Sequence, residues 1–189
     1  MDQPAKPDFK KRELVAARVS AAFKARGFQL VQYGEATVEQ YSRGKYATGD
    51  VDLGFVDEAP SLDIRAQVME SLGCERGTRL YLLDGVVVDL GGQAELLSSH
   101  LVELSTPGGL LLLEAPEESL VQRVLMLVYP QEDADQKQAA LMLILQALAG
   151  NLSLDWNEVE RLAALPGFKV QPVLAAYREE AQRILSSST

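Results

Sequence analysis

The stretch Lys45–Phe55, KYATGDVDLGF, carries two aspartates one residue apart inside an otherwise apolar run. Side chains on a β-strand alternate between two faces, so Asp50 and Asp52 point to one face and the apolar residues beside them point to the other. Two carboxylates on one face repel each other, which a chain tolerates at a solvated strand end or around a divalent cation. The residues on either side of this pair decide between the two interpretations.

The charge of the chain is unevenly distributed. Its 189 residues have a formal net charge of −9, but residues 1–50 carry 9 Lys and Arg against 6 Asp and Glu, whereas residues 51–189 carry 9 against 21. This acidic bulk argues against a broad nucleic-acid-binding surface and leaves room only for a local basic strip near the N-terminus. A hydrophobic content of 47% is that of a globular protein that can bury a sizeable core.

Cysteine content and hydropathy predict the cellular compartment. The lone Cys74 excludes an internal disulfide and fits a reducing environment. The N-terminal residues DQPAKPDFKKRE contain no apolar segment of the kind that a secretory signal needs, and the longest apolar run, ALMLILQALAG, is too short to span a bilayer. These features predict a cytoplasmic protein with no membrane partner.

The hydrophobic pattern divides the chain into two parts. Up to about residue 115, helical and strand patterns alternate, and the turns at Asp84-Gly85 and Pro107-Gly108-Gly109 indicate two hairpins. Beyond Pro116, four segments with helical periodicity follow one another. We therefore predict an α+β fold class, with a small mixed or antiparallel sheet and flanking helices followed by a helical C-terminal unit. The predicted boundaries are a flexible tail at 1–10, an α+β domain at 11–115 and a helical domain at 116–189.

Residues before and after the aspartate pair favour a phosphate and metal site. Upstream, VQYGEATVEQ places Gly34 between a strand and a helix, where backbone N–H groups can meet a phosphate. Downstream, VVVDL places Asp89 among apolar strand residues, where a carboxylate is costly unless it is paired, protonated or bound to a metal. Three carboxylates from two strands match the needs of metal-assisted nucleotide transfer, in which two Mg²⁺ ions bridge a triphosphate and an attacking hydroxyl.

This order of elements resembles the minimal nucleotidyltransferases of the polymerase-beta-like superfamily. More narrowly, GEATVEQYSRGKYATGDVDL resembles a bacterial branch related to abortive-infection and toxin–antitoxin nucleotidyltransferases, with a motif of roughly Gly-Gly-x-Ala…Arg-x-Thr-x-Asp-Ile-Asp-Leu. The matching residues are Gly34, Ala36, Thr48, Asp50, Asp52, Leu53 and, as the third carboxylate, Asp89. The resemblance covers most of residues 28–160 and implies a nucleotidyltransferase fold that binds a nucleoside triphosphate with Mg²⁺ or Mn²⁺.

The resemblance also implies a role for each matched residue. Asp50 and Asp52 would be shared metal ligands, Asp89 a third ligand and the base, and Gly34 the turn of the phosphate loop. The implied reaction transfers a nucleoside monophosphate to a hydroxyl of a protein, a tRNA end or a small molecule, and it releases pyrophosphate. Lys137, at the start of a later helix, would either reach the triphosphate or lie on a solvated helix face.

Two departures from the motif bear on catalysis. Glu35 stands where the family has Gly or Ser, so a negative charge lies where a triphosphate would bind. The arginine that precedes the Thr-x-Asp element is matched only loosely, by Arg43 or Lys45. The sequence therefore leaves open a non-catalytic antitoxin or regulator that keeps the fold and binds a partner protein. A metal-dependent glycosyltransferase also uses Asp-x-Asp pairs, but such enzymes generally need a longer chain.

Overall fold

A computed structural model of the chain describes residues 8–75, 77, 79–129 and 134–187. Residues 1–7 of the predicted flexible tail lie outside the described residues. The first helix begins inside that predicted tail, at Phe9, because the side chain of Asp8 caps it by accepting a hydrogen bond from the Lys11 N–H at 2.8 Å. Residues 9 and 10 of the predicted tail therefore belong to this helix.

Helices and strands alternate in the first part of the chain, and helices alone follow. In chain order the elements are α1 (Phe9–Lys24), β1 (Leu30–Gln32), α2 (Glu35–Tyr41), β2 (Asp50–Phe55), α3 (Leu62–Ser71), β3 (Leu80–Leu83), β4 (Val86–Gln93), β5 (Leu101–Thr106), β6 (Gly109–Glu114), α4 (Pro116–Val128), α5 (Ala134–Leu148), α6 (Trp156–Ala163) and α7 (Gln171–Ser187). No helix in the described ranges is long and apolar enough to cross a membrane.

The described residues form two compact units. The sheet unit comprises residues 8–36, 47–96 and 100–114. The helical unit comprises residues 37–46, 97–99 and the described residues from 115 onward. The helical unit thus includes two short segments, 37–46 and 97–99, that the sequence pattern had placed in the α+β domain.

The six strands form one mixed sheet in the order β3-β4-β2-β1-β6-β5. β2 pairs antiparallel with β1 and parallel with β4, β1 pairs parallel with β6, and the two hairpins are antiparallel. In the first hairpin, Asp84 and Gly85 both have positive φ, of 52° and 76°, as a type I′ turn requires. This sheet with its helices confirms the predicted α+β fold class.

The core of the sheet unit lies on one face of β2. Val51 and Leu53 are completely buried, whereas the alternating Asp50 and Asp52 are only partly buried. Phe23 from α1 packs edge-on against Phe55, with ring centroids 5.3 Å apart. The strand alternation expected from the sequence therefore directs the apolar side chains into the core and the two carboxylates away from it.

The helical unit encloses an apolar core and, beside it, two buried carboxylates at the start of α4. Glu118 accepts hydrogen bonds from the backbone N–H groups of Leu97, at 2.6 Å, and Ser98, at 3.0 Å. Glu117 accepts from the backbone N–H of Asp155 at 2.8 Å. Burial raises the pKa of Glu118, and the hydrogen bonds that its carboxylate accepts act in the opposite direction. These carboxylates join chain segments that are distant in sequence.

Candidate active site

The parallel pairing of β2 with β4 places two of the predicted carboxylates side by side. In the register of this pair, Asp52 lies opposite Asp89 and Asp50 lies opposite Val87. Directly opposed residues on neighbouring strands project from the same face of a sheet, so Asp52 and Asp89 share the face that Asp50 also occupies. Strand register, rather than a loop, fixes their proximity, and a slip by one residue would move them to the other face.

Asp89 is held by an arginine that the sequence interpretation did not single out. Arg79 donates from Nε to Oδ1 of Asp89 at 2.5 Å and from Nη2 to Oδ2 at 2.7 Å. The Asp89 side chain is 13% exposed and the Arg79 side chain 66% exposed. These hydrogen bonds, with the neighbouring negative charge, raise the pKa of Arg79. Both oxygens of the third carboxylate are therefore engaged by a largely solvent-exposed side chain.

The predicted hairpin did not reveal Arg79. Counting outward from the Asp84-Gly85 turn pairs Leu80 with Asp89, and the backbone N–H of Leu90 donates to the carbonyl of Arg79 at 3.0 Å. In a regular strand, a residue next to Leu80 would point to the face opposite Asp89. Arg79 reaches Asp89 because it precedes β3, which begins at Leu80, and no local pattern in the sequence specifies that contact.

Asp50 and Thr48 are in contact at the start of β2. The hydroxyl of Thr48 donates to Oδ1 of Asp50 at 3.2 Å, and Thr48 is buried. A buried donor limits the orientations that the carboxylate can adopt. The threonine of the Thr-x-Asp element therefore positions the first aspartate.

Gly34 lies directly against Asp52. Its φ is +71°, and a Cβ atom built on it would stand 3.2 Å from Oδ2 of Asp52. Its N–H donates to Oε1 of the buried Glu114 at 3.0 Å. Glu114 ends β6, and the parallel pairing of β1 with β6 brings it to Gly34. The run LLLLE indicates a charged residue at a strand end, but no local pattern indicates which strand Glu114 would contact.

Glu35 is the first residue of α2 and is half-buried. A negative charge in the first turn interacts favourably with the positive end of a helix. The negative charge of Glu35 is therefore favourable at this end of α2. This position also keeps a carboxylate one residue from Gly34.

Three predicted binding residues belong to the helical unit. Arg43 is exposed and has a positive φ of 54°, and Lys45 is exposed as well. Lys137 forms an ion pair with Glu180 at 3.2 Å and lies 5.3 Å from the ring centroid of Tyr177.

Tyr33 is a further residue of the site that the sequence interpretation missed. A Cβ atom on Gly54 would stand 3.0 Å from Cε1 of Tyr33, and one on Gly91 would stand 2.9 Å from its hydroxyl oxygen. The ring therefore lies across glycines of β2 and β4. Burial raises the pKa of Tyr33, and the charges of Asp52 and Asp89 raise it further. A protonated hydroxyl thus accompanies the carboxylates.

The three predicted carboxylates are candidate ligands for a hard divalent cation. Among the described residues, no group of three or more His, Cys, Asp or Glu side chains is arranged to hold a metal ion. The ion pair with Arg79 engages the oxygens that Asp89 would offer. Carboxylate oxygens are the ligands that Mg²⁺ prefers, so the side chains of Asp50, Asp52 and Asp89 are of the right chemical type. They are not arranged to hold a cation here, and Asp89 could offer its oxygens only if its bidentate ion pair with Arg79 opened.

Solved structures with a similar fold are nucleotidyltransferases or are described as like them. The solution structure of the antibiotic-resistance factor ANT(2″)-Ia aligns with a TM-score of 0.54 at 15% identity, covering 96% of this chain and 98% of that chain. An antigenic nucleotidyltransferase-like protein from Paracoccidioides brasiliensis aligns with a TM-score of 0.59 at 18% identity, covering 91% and 92%. The crystal structure of ANT(2″)-Ia in complex with adenylyl-2″-tobramycin aligns with a TM-score of 0.53 at 16% identity, covering 90% and 98%.

Similarity to known proteins is detected in the structure and not in the sequence. No protein-family model matches it, and no curated protein sequence matches it. At these identities, structural similarity establishes the fold and leaves the activity to the side chains of the site. The chain has the nucleotidyltransferase fold that its sequence motif implied.

Proposed function

We propose that this protein binds a nucleoside triphosphate with Mg²⁺ or Mn²⁺ and transfers a nucleoside monophosphate to a hydroxyl acceptor. The observation that carries the proposal is the β2–β4 register, which sets Asp52 beside Asp89 on the face opposite the apolar core. The contact between Gly34 and Asp52 supports it. So does the fold, since the structurally similar ANT(2″)-Ia was crystallised with adenylyl-2″-tobramycin, a nucleotidylated molecule.

In the proposed reaction the acceptor hydroxyl oxygen forms a bond to the α-phosphorus of the triphosphate. The bond from the α-phosphorus to the oxygen bridging the β-phosphorus breaks, pyrophosphate leaves with that electron pair, and the hydroxyl proton passes to Asp89. A bound divalent cation neutralises charge on the phosphates and acidifies the hydroxyl. Asp50 and Asp52 would hold it, with Thr48 orienting Asp50. Arg79 must leave Asp89 before that carboxylate can accept a proton.

A transfer assay tests the proposal directly. Each of ATP, CTP, GTP and UTP, labelled at the α-phosphorus, is incubated with the protein, Mg²⁺ or Mn²⁺ and a panel of hydroxyl acceptors, and both the label transferred to the acceptor and the pyrophosphate released are measured. We expect release with at least one triphosphate, and its loss in Asp52→Asn and Asp89→Asn. Release that persists in Asp52→Asn would place the chemistry elsewhere. The net charge of −9 favours a protein or small-molecule acceptor over a tRNA end, and the lone Cys74 favours a cytoplasmic location.

Specific observations favour a second candidate, a non-catalytic regulator of the toxin–antitoxin type that binds a partner protein. Arg79 neutralises Asp89, and Glu114 engages the N–H of Gly34. Glu35 adds a negative charge beside that glycine. At about 4 Å and an effective dielectric constant near 20, each repulsion between Glu35 and a phosphate charge would reach about 4 kcal/mol before screening.

Replacing Glu35 separates the two candidates. In a regulator that has lost nucleotide binding through this charge, Glu35→Ser should increase Mg²⁺-dependent triphosphate affinity by more than about tenfold, because even a strongly screened repulsion is worth about 1.4 kcal/mol. In a working enzyme the side chain already avoids the triphosphate, so the same change should leave affinity unchanged or lower it. Isothermal titration of both proteins measures the difference.

A further inference from the structure

We infer that a cavity beside Asp89 binds a small hydroxylated anion, and that this molecule is the acceptor of the proposed transfer. The role of this molecule as acceptor rests on the proposed function. Its binding follows from the cavity itself. The acceptors that we infer are therefore hydroxyl compounds that carry a phosphate or a carboxylate.

The cavity lies entirely within the sheet unit and has a volume of about 300 Å³. Its lining includes Tyr33, Leu62, Arg65, Arg79, Gly91 and Gly92. Two of these side chains are guanidinium groups, and none of the residues that line the cavity carries a carboxylate. This volume is at the small end of ligand sites, which suits a molecule of a few carbon atoms with one charged group.

The cavity begins where the carboxylate site ends. Gly91 and Gly92 follow Asp89 by two and three residues on β4. Tyr33 lines the cavity, and its backbone N–H donates to the carbonyl of Asp52 at 3.3 Å. Arg79 lines the cavity and holds Asp89 at the same time. A hydroxyl group on a molecule in the cavity would therefore lie near the proposed base.

The two arginines differ in how firmly they are held. Arg65 donates from Nε to the carbonyl of Pro60 at 2.8 Å and from Nη1 to the carbonyl of Gly91 at 2.9 Å, and it stands 5.2 Å from the ring centroid of Phe55. It is a fixed positive charge in the wall. Arg79 is 66% exposed and is held by Asp89 through its side chain. Its exposure leaves space for the guanidinium group to exchange the Asp89 carboxylate for another anion.

This arrangement selects the charge of the ligand. Guanidinium groups bind phosphate and carboxylate oxygens through paired, charge-assisted hydrogen bonds. A polyamine such as tobramycin offers no anionic oxygen to either guanidinium group. The cavity thus favours the opposite charge from the aminoglycoside that was crystallised with ANT(2″)-Ia.

Arg79 also links the occupancy of the cavity to the carboxylates. An anion that takes Arg79 frees both oxygens of Asp89, so the third carboxylate becomes more available when the acceptor is present. The anion and the metal–nucleotide complex should then strengthen each other's binding, by the same factor in both directions. Arg79 is a positioning residue in this scheme, because it acts on the reaction through Asp89.

Titration calorimetry without nucleotide or metal tests the binding. The probes are glycerol 3-phosphate and glycerate, with inorganic phosphate, glycerol and tobramycin as comparisons. We expect both hydroxylated anions to bind the wild-type protein, phosphate to bind more weakly, and glycerol and tobramycin to give no signal. Arg79→Gln should weaken the anions by about tenfold or more, since a hydrogen bond to a charged group is lost. Arg26→Gln, an equal change of charge at an exposed position of the same unit, should change nothing.

Three outcomes would overturn the inference: no binding of either hydroxylated anion to wild type, equal binding to Arg79→Gln, or phosphate binding as tightly as glycerol 3-phosphate. A second titration measures Mg²⁺–triphosphate affinity with and without glycerol 3-phosphate. We expect several-fold tighter binding with the anion in wild type and no such dependence in Arg79→Gln; an equal dependence in both would remove Arg79 from the link. Because the first titration omits nucleotide and metal, the anion site can stand even if transfer fails.

Discussion

The carboxylates of the two units differ in what holds them. In the helical unit, Glu117 and Glu118 accept hydrogen bonds from backbone N–H groups. In the sheet unit, Asp89 accepts from the side chain of Arg79. A backbone donor cannot leave without unfolding its segment, whereas an exposed side chain can rotate away. The carboxylates of the helical unit are therefore structural, whereas the proposed function requires Arg79 to release Asp89.

Burial alone would not have separated the two groups. Glu117 and Glu118 are 8% and 0% exposed as whole residues, and the side chain of Asp89 is itself only 13% exposed. What differs is the type of partner and the sheet register that sets Asp52 beside Asp89. A partly buried acid is thus assigned to structure or to function by its donors rather than by its accessibility.

The largest effect is expected at Glu118. Glu118→Ala leaves the buried N–H groups of Leu97 and Ser98 without their acceptor, which should lower the free energy of unfolding by about 2–4 kcal/mol. Glu160→Ala, at an exposed position in the same unit, serves as the control and should change stability by less than about 0.5 kcal/mol. Urea denaturation measures both. Equal stabilities of the two variants would show that the Glu118 carboxylate does not stabilise the fold.

The next effect is expected at Gly34. Gly34→Ala forces an L-residue to a φ of +71° and should cost about 1–2 kcal/mol. Gly27→Ala carries the same strain at a φ of +85° with no atom within 4 Å of the added Cβ. Denaturation and titration of both variants separate strain from function. Only Gly34→Ala should reduce Mg²⁺-dependent triphosphate binding, because its Cβ presses on Asp52; an equal reduction in Gly27→Ala would argue against this contact.

A smaller effect on stability is expected at Asp52. Asp52→Asn is nearly isosteric and removes one of two negative charges that lie side by side, so stability should stay within about 0.5 kcal/mol of wild type or rise. Any stabilisation by Mg²⁺ with a triphosphate should vanish in thermal melts. Asp57→Asn, exposed in the same unit, should retain it. A loss of several kcal/mol in Asp52→Asn would make this carboxylate structural, like Glu118.

The smallest effect concerns pH. Burial raises the pKa of Glu118 above the ordinary value of 4.5. The folded state therefore holds this proton more tightly than the unfolded state, so its contribution to stability is complete below pH 4.5 and is lost as the pH rises through the folded-state value. Unfolding free energies measured from pH 4 to pH 7 should contain this decline in wild type and lack it in Glu118→Gln. The same decline in both proteins would assign it to another group.

Local elements could be predicted from the sequence because local rules fix them. The Asp84-Gly85 turn formed as expected, and Ser61 caps α3 by accepting from the N–H of Ile64. The alternation along β2 placed Asp50 and Asp52 on one face. These features depend on neighbouring residues and on periodicity, so a single sequence contains them.

Features that depend on contacts between distant segments could not be predicted. Glu114 meets Gly34 only because β6 pairs with β1, and no local pattern specifies that pairing. The segment 97–99 joins the helical unit because Glu118 accepts from its N–H groups, although its sequence lies between two strands. Arg79 was overlooked because the motif directs attention to acids and glycines, and not to a cation that competes for an acid.

The central claim is that the carboxylates on β2 and β4 form a metal-dependent nucleotide site. Isothermal titration of ATP, CTP, GTP and UTP into the protein, with and without Mg²⁺, tests it most directly. We predict that at least one triphosphate binds wild type only when Mg²⁺ is present, and that Asp52→Asn abolishes this binding. The absence of Mg²⁺-dependent binding of every triphosphate to wild type, Glu35→Ser and Arg79→Gln alike would contradict the claim and leave only the fold.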